Sequence, residues 1–219
     1  MKRYLSPLLF VAMAMFAIAP LLIERAPYEA SMGLVQKIFY FHVPSAMVMF
    51  VSAFVCGIAS VLFLFKNRPS ADHLAAAAGE LTVVFGLIVL VTGPMWARKA
   101  WGVWWEWDAR LTSSLLLELI FMAYLLVRKY GGPGSEKLAA AMALFGMANV
   151  PFVYVSVNLW RTLHPRTTVA MTLPAGMKGP FWFCVAAFAL LYIALLTIRT
   201  TLGRERAELE RAYLEREEE

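Results

Sequence analysis

The chain has 219 residues, is 61% hydrophobic and only 16% charged, and carries a formal net charge of +5. A soluble domain of this length spreads more charge along amphipathic elements, so that class is excluded. The basic residues are scattered, which argues for no nucleic acid partner and leaves membrane lipid as the natural surroundings. A helix needs about 20 mainly apolar residues to cross the hydrocarbon layer. Six such blocks occur, at 5–23, 44–65, 75–97, 111–127, 138–158 and 179–199. The expected fold is all-α: an integral membrane bundle of six transmembrane helices over residues 1–200, with a charged cytoplasmic tail at 201–219.

The first block follows Met1-Lys2-Arg3 and imitates a signal peptide, with Ala17-Ile18-Ala19 as a cleavage-like site. Pro20 directly after that site and the length of the run favour an uncleaved anchor. Six crossings put both termini on one side and connections one, three and five together on the other. Lys and Arg are in modest excess on the terminal side, through Lys2, Arg3, Lys66, Arg68, Arg128, Lys129, Lys137 and the tail. The positive-inside rule then makes the termini cytoplasmic. The even connections are short, and one holds the breaker cluster Gly131-Gly132-Pro133-Gly134. The outer connections carry aromatics, a histidine or both, and function is expected there.

In chain order, His42 falls just outside the second span, and Cys56 lies within it as an ordinary packing thiol, as does Cys184 in the sixth. His73 reads as a surface or capping residue. Glu80 lies close enough to the cytoplasmic edge to reach headgroups or water. Gly93-Pro94 is expected to bend or end the third helix. Residues 101–112, WGVWWEWDARLT, hold four of the seven tryptophans. One or two tryptophans at a boundary are an aromatic belt, but four beside Asp108 and Arg110 exceed that. If the segment is helical, Trp101, Trp104, Trp105, Asp108 and Thr112 share one face and form a shelf, while Trp107 and Arg110 point elsewhere. The same pattern also suits an interfacial helix turned toward lipid. Glu118, in the middle of the fourth span, is costly there and has either a structural role, with Asn149 as a partner, or a functional one. His164 follows the fifth span, on the same face as His42 and the tryptophans.

A lone boundary histidine is usually unremarkable, but a pair flanking an aromatic segment suits a metal or haem. Haem fits this set chemically. Its flat apolar ring is covered by aromatic side chains, and two histidines fill the two axial positions of its iron. Its propionates pair with arginine, for which Arg98, Arg110, Arg161 and Arg166 are candidates, with Lys99. Zinc fits less well, because two histidines without a third ligand leave its site incomplete.

The tryptophan segment, and above all WWEWDARLT, resembles the signature of the CcmC family of haem-handling proteins in cytochrome c maturation. FYFHVPSAM around His42 and TLH at His164 resemble that family's two histidine motifs, although Pro165-Arg166 departs from its pattern. The resemblance covers essentially the whole membrane portion. It implies a non-enzymatic carrier of haem b in the bacterial inner membrane, presenting haem at the periplasmic face. His42 and His164 would be the axial ligands, and Trp101, Trp104, Trp105, Trp107 and Asp108 the haem platform and chaperone contact. The implied partners are a CcmE-like haem chaperone, a CcmD-like small membrane protein and CcmA/CcmB ABC-type subunits. Alternatives are a haem lyase acting on apocytochrome, a b-type electron-transfer subunit, or a permease half in which Glu118 matters most. Cytochrome b subunits usually place ligand histidines inside the spans, whereas no run here has a central histidine.

Overall fold

The computed structural model describes residues 2–166 and 170–217. Met1, residues 167–169, and Glu218 and Glu219 of the expected tail lie outside the described residues. The described residues form six α-helices: α1 (Lys2–Arg25), α2 (Phe39–Lys66), α3 (Pro69–Trp101), α4 (Ala109–Tyr130), α5 (Ser135–Leu159) and α6 (Ala175–Glu217). A 3-10 turn, Leu34–Ile38, leads into α2. All six helices are long and apolar enough to cross a membrane. A bilayer core offers no water to unpaired backbone groups, so helices that satisfy their own hydrogen bonds are the form such runs take.

The helices are longer than the apolar blocks. The α2–α3 connection shrinks to Asn67 and Arg68. Asn67 is left-handed at φ 47° and returns its N–H to the Phe63 carbonyl at 2.8 Å. Arg68 is extended, as the residue before a proline must be, and Pro69 opens α3. The helix does not end at Gly93-Pro94 but continues to Trp101. Pro94 has no N–H for the Leu90 carbonyl, so the cost is one helical hydrogen bond. Gly102 stops α3 at φ 79°, a left-handed conformation that glycine adopts without a Cβ clash. The charged segment after Arg199 is a continuation of α6 as an exposed helix, with Arg206 and Glu210 paired at 2.9 Å.

α2 is central, packing along α3 and against α5 and α6, while α4 lies on α5 and α1 on α6. Helices in lipid associate through close packing rather than water exclusion. Gly79 and Gly86 of α3 supply that closeness, since an added Cβ would collide with Tyr124 and Glu118 of α4 respectively. Glu118 is 1% exposed and has no hydrogen-bond partner among the described residues. Asn149 is not its partner, because the Asn149 amide donates to the Ser113 carbonyl at 3.1 Å. Cys56 and Cys184 are free and buried.

Two ion pairs fasten the end opposite the tryptophan segment. Arg128 donates both guanidinium nitrogens to Asp72 at 2.6 and 2.7 Å, tying α4 to α3. Arg199 grips Glu80 at 2.5 and 2.7 Å in a partly exposed pair, tying α6 to α3. With that end fixed, the other end of the bundle carries the three longer connections.

Candidate functional site

α2 begins, and α3 ends, at the bundle end that carries connections one, three and five. His42 therefore meets the last turns of α3. It is not loop-borne as the sequence suggests, but sits in the first turn of α2, 6% exposed. Its Nδ1 lies 2.9 Å from Thr92 Oγ1, and Trp96 stands edge-on to its ring at 5.8 Å. Behind it, Phe39 packs on Phe181 at 4.9 Å within a small apolar core from α1, α2 and α6. Trp96 is itself held from outside the bundle, donating its indole N–H to Met32 Sδ at 3.0 Å. Met32 is fixed in turn by Glu29, whose carboxylate accepts from the Met32 N–H and from Ser31. Those donors hold the Glu29 carboxyl below its ordinary range.

His164 arrives from the α5–α6 connection. Asp108 determines where it sits. One Asp108 oxygen caps α4 by accepting from the Leu111 N–H at 2.8 Å. The other accepts from the Thr162 hydroxyl and from the Leu163 N–H at 3.3 Å. Thr162 Oγ1 accepts in turn from the His164 N–H at 3.0 Å. The His164 Nδ1 faces the Pro165 carbonyl at 2.8 Å. A carbonyl only accepts, so Nδ1 carries the hydrogen and Nε2 keeps a free lone pair. Burial, aided by the Arg110 charge, pushes the His164 pKa down to about 4, so the ring is neutral near pH 7.

Both histidines line two adjoining open cavities. Trp96, Phe50 and Arg110 are shared walls. The first cavity extends under Trp101 and Trp105, the second toward Tyr154, Arg166 and Trp182. Arg110 donates to the Val153 carbonyl at 2.5 Å and lies over Phe50 at 5.7 Å, leaving further guanidinium hydrogens for an anion. The Trp105 indole N–H is buried without a partner among the described residues. A lining of aromatics with a few convergent polar groups suits a flat apolar ligand.

The structure thus brings together His42, His164, Trp101, Trp105, Arg110 and Arg166, and leaves other expected residues aside. The tryptophan segment is not helical. The chain leaves α3 at Gly102 and re-enters a helix at Ala109, so the three-and-four spacing of a shelf does not apply. Trp104 and Trp107 are 59% and 74% exposed and line neither cavity. Asp108 lines neither cavity, because both its oxygens serve the backbone and the His164 loop. Arg98 donates to the Gly102 carbonyl, and Arg161, which is exposed, lines neither cavity. Arg110, expected to point away, is a central wall. Sequence reasoning missed Thr92, Trp96 and Trp182. Trp96, five residues before Trp101, carried the clearest signal.

Six spanning helices, with two imidazoles, aromatic walls and arginine around a pocket at one bundle end, define a multi-pass membrane protein. The chain matches the heme exporter protein C family over residues 1–214. It is 36% identical over 176 residues to the heme exporter protein C of Bradyrhizobium diazoefficiens, covering 78% of this chain and 67% of the relative. With the heme exporter protein C of Escherichia coli K12 it shares 31% over 181 residues, 80% and 72% of the two chains. A putative cytochrome c biosynthesis ccmC-like mitochondrial protein of Arabidopsis thaliana is 32% identical over 200 residues, 90% and 75%. The chain belongs to the heme exporter protein C (CcmC) family, a family of haem transport in cytochrome c biogenesis.

Proposed function

We propose that this protein holds haem b between His42 and His164 and presents it to a CcmE-like haem chaperone, as a carrier rather than a catalyst. The single observation that carries this reading is that two neutral-capable imidazoles, from separate elements, line one aromatic-walled pocket with Arg110. The donor set fits the cargo: imidazole suits iron, indole and phenyl faces suit porphyrin, and guanidinium suits a propionate. Arg110 and Arg166 are the propionate partners, and the orphan Trp105 N–H is a further donor. The exposed Trp104 and Trp107 rings, beside the pocket but outside it, offer the chaperone a surface.

In the membrane, the termini and the charged end of α6 lie in the cytoplasm, and the pocket opens at the periplasmic face. Within the assembly, a CcmD-like small protein and CcmA/CcmB ABC-type subunits are the companions. His42 lies in a helix, as in cytochrome b subunits, but at the end of the span and beside exposed aromatics, which favours delivery over resident electron transfer.

The test is purification in detergent followed by absorbance. Wild type is expected to give a haem Soret band that shifts or disappears in His42→Ala and His164→Ala, and to lose haem to added chaperone. A band identical in both variants would remove these residues as ligands. Haem that stays put with acceptor present would turn the reading toward a resident cytochrome.

A further inference from the structure

We infer that Thr92 is a positioning residue that makes His42 an Nε2 ligand; the inference rests on the haem reading above. Thr92 Oγ1 has two neighbours, the Ile88 carbonyl at 2.7 Å and His42 Nδ1 at 2.9 Å. A hydroxyl has one hydrogen to give. The Ile88 carbonyl only accepts, so the Thr92 hydrogen goes there. Toward His42 the same oxygen then accepts, and Nδ1 must carry the ring hydrogen. A neutral imidazole protonated at Nδ1 keeps its lone pair on Nε2, the atom needed to coordinate iron.

The contact fixes orientation as well as tautomer. Thr92 lies on α3 and His42 on α2, so the hydrogen bond spans two helices, unlike the bond from His164 to the adjacent residue. Trp96, four residues beyond Thr92 and on the same helical face, stands at 81° to the imidazole. Gly93 lies between them, and a Cβ there would be 3.4 Å from His42 Cε1, so the α3 backbone bounds that side of the ring. His42 is buried, so no bulk water replaces Thr92 as acceptor. An Nδ1–H bonded to an oxygen that is itself polarised by the Ile88 carbonyl makes Nε2 a stronger donor to a metal.

Three forms of the full-length protein in detergent test this: wild type, Thr92→Val, which keeps the shape and loses the oxygen, and Thr92→Ser, which restores it. In haem-free protein, imidazole ¹⁵N NMR reads the tautomer without reference to cargo. Wild type and Thr92→Ser are expected to show His42 protonated at Nδ1, and Thr92→Val to show the other tautomer or exchange between the two. On haemin titration, Thr92→Val should bind roughly 10- to 100-fold more weakly, the range for loss of a ligand's outer partner. The haem it retains should have an altered ferric electron paramagnetic resonance spectrum and a raised reduction potential, both returned toward wild type by Thr92→Ser. An unchanged tautomer in Thr92→Val overturns the inference. So does weaker binding with wild-type spectrum and potential, which would mark a merely structural effect. If His42→Ala and His164→Ala both keep the wild-type haem spectrum, the axial reading itself falls. That outcome is separable from the Thr92 result, because the NMR arm contains no haem.

Discussion

Asp108 and Thr162 are joined by a hydrogen bond that fastens the start of α4 to the loop bearing His164. The acid of the tryptophan segment therefore serves the distant histidine. Asp108→Asn separates its two roles. The amide oxygen can still accept from the Leu111 N–H and cap α4, but an NH₂ cannot accept from Thr162 and Leu163. Asp108→Asn is expected to melt close to wild type while binding haemin at least several-fold more weakly. Asp108→Ala should lose about 1 kcal/mol of stability as well, the usual value of an N-cap. Equal haemin affinity in all three proteins would show that the loop needs no fastening.

Arg110 is expected to act on the cargo's carboxylates. Arg110→Gln removes a charge-assisted hydrogen bond of about 1.5–3 kcal/mol, roughly 10- to 100-fold in haem affinity. Haem with esterified propionates provides the control. Wild type should discriminate against the ester, and Arg110→Gln, left with Arg166 alone, should discriminate clearly less. If both proteins show the same preference for free propionates, another cation grips them.

The state of His164 predicts a pH dependence. Iron competes with a proton for the lone pair, so a ligand histidine is lost as pH falls through its own pKa. An ordinary histidine starts to compete near 6.5, but burial and Arg110 bring His164 down to about 4. Protonation is thus disfavoured in the folded site, and neutral, ligating imidazole persists into mild acid. The His164-dependent part of the Soret signal should stay flat from neutral pH to about pH 5 and fall below that. A midpoint near 6.5 would mean that the ring is solvated.

Glu118 and Gly86 form a packed pair across α3 and α4, with no space for a Cβ at Gly86. Gly86→Ala should destabilise the bundle by about 1–3 kcal/mol, as overpacking does. Glu118→Ala should cancel most of that loss in the double variant, because the clashing carboxyl is gone. Thermal melts of the two single variants and the double decide the matter. Strictly additive effects would place the strain elsewhere.

Much of this site was legible because membrane chains are strongly constrained. Six apolar runs forced six helices, and parity alone gathered His42, the tryptophan segment and His164 at one end. Which tryptophans face the pocket was not legible. Between Gly102 and Asp108 the backbone abandons helical geometry, so the periodicity that linked Trp101, Trp104 and Trp105 has no meaning there. Thr92, and to a lesser degree Trp96, were passed over for another reason. Inside an apolar span, a threonine bonding back to its own helix and a tryptophan near the boundary look like ordinary lining.

Hydropathy, set by the cost of bare backbone in lipid, determined the number of crossings and which connections share an end, because it acts on each segment independently. The motif of residues 101–112 likewise gave the family from the chain alone. The acceptor for the His42 imidazole, the role of Asp108 as a fastening and the turn of Arg110 into the pocket were decided only by tertiary packing. Those depend on contacts between residues 43 to 55 positions apart, whose directions follow from how α2, α3, α4 and α5 lie against one another.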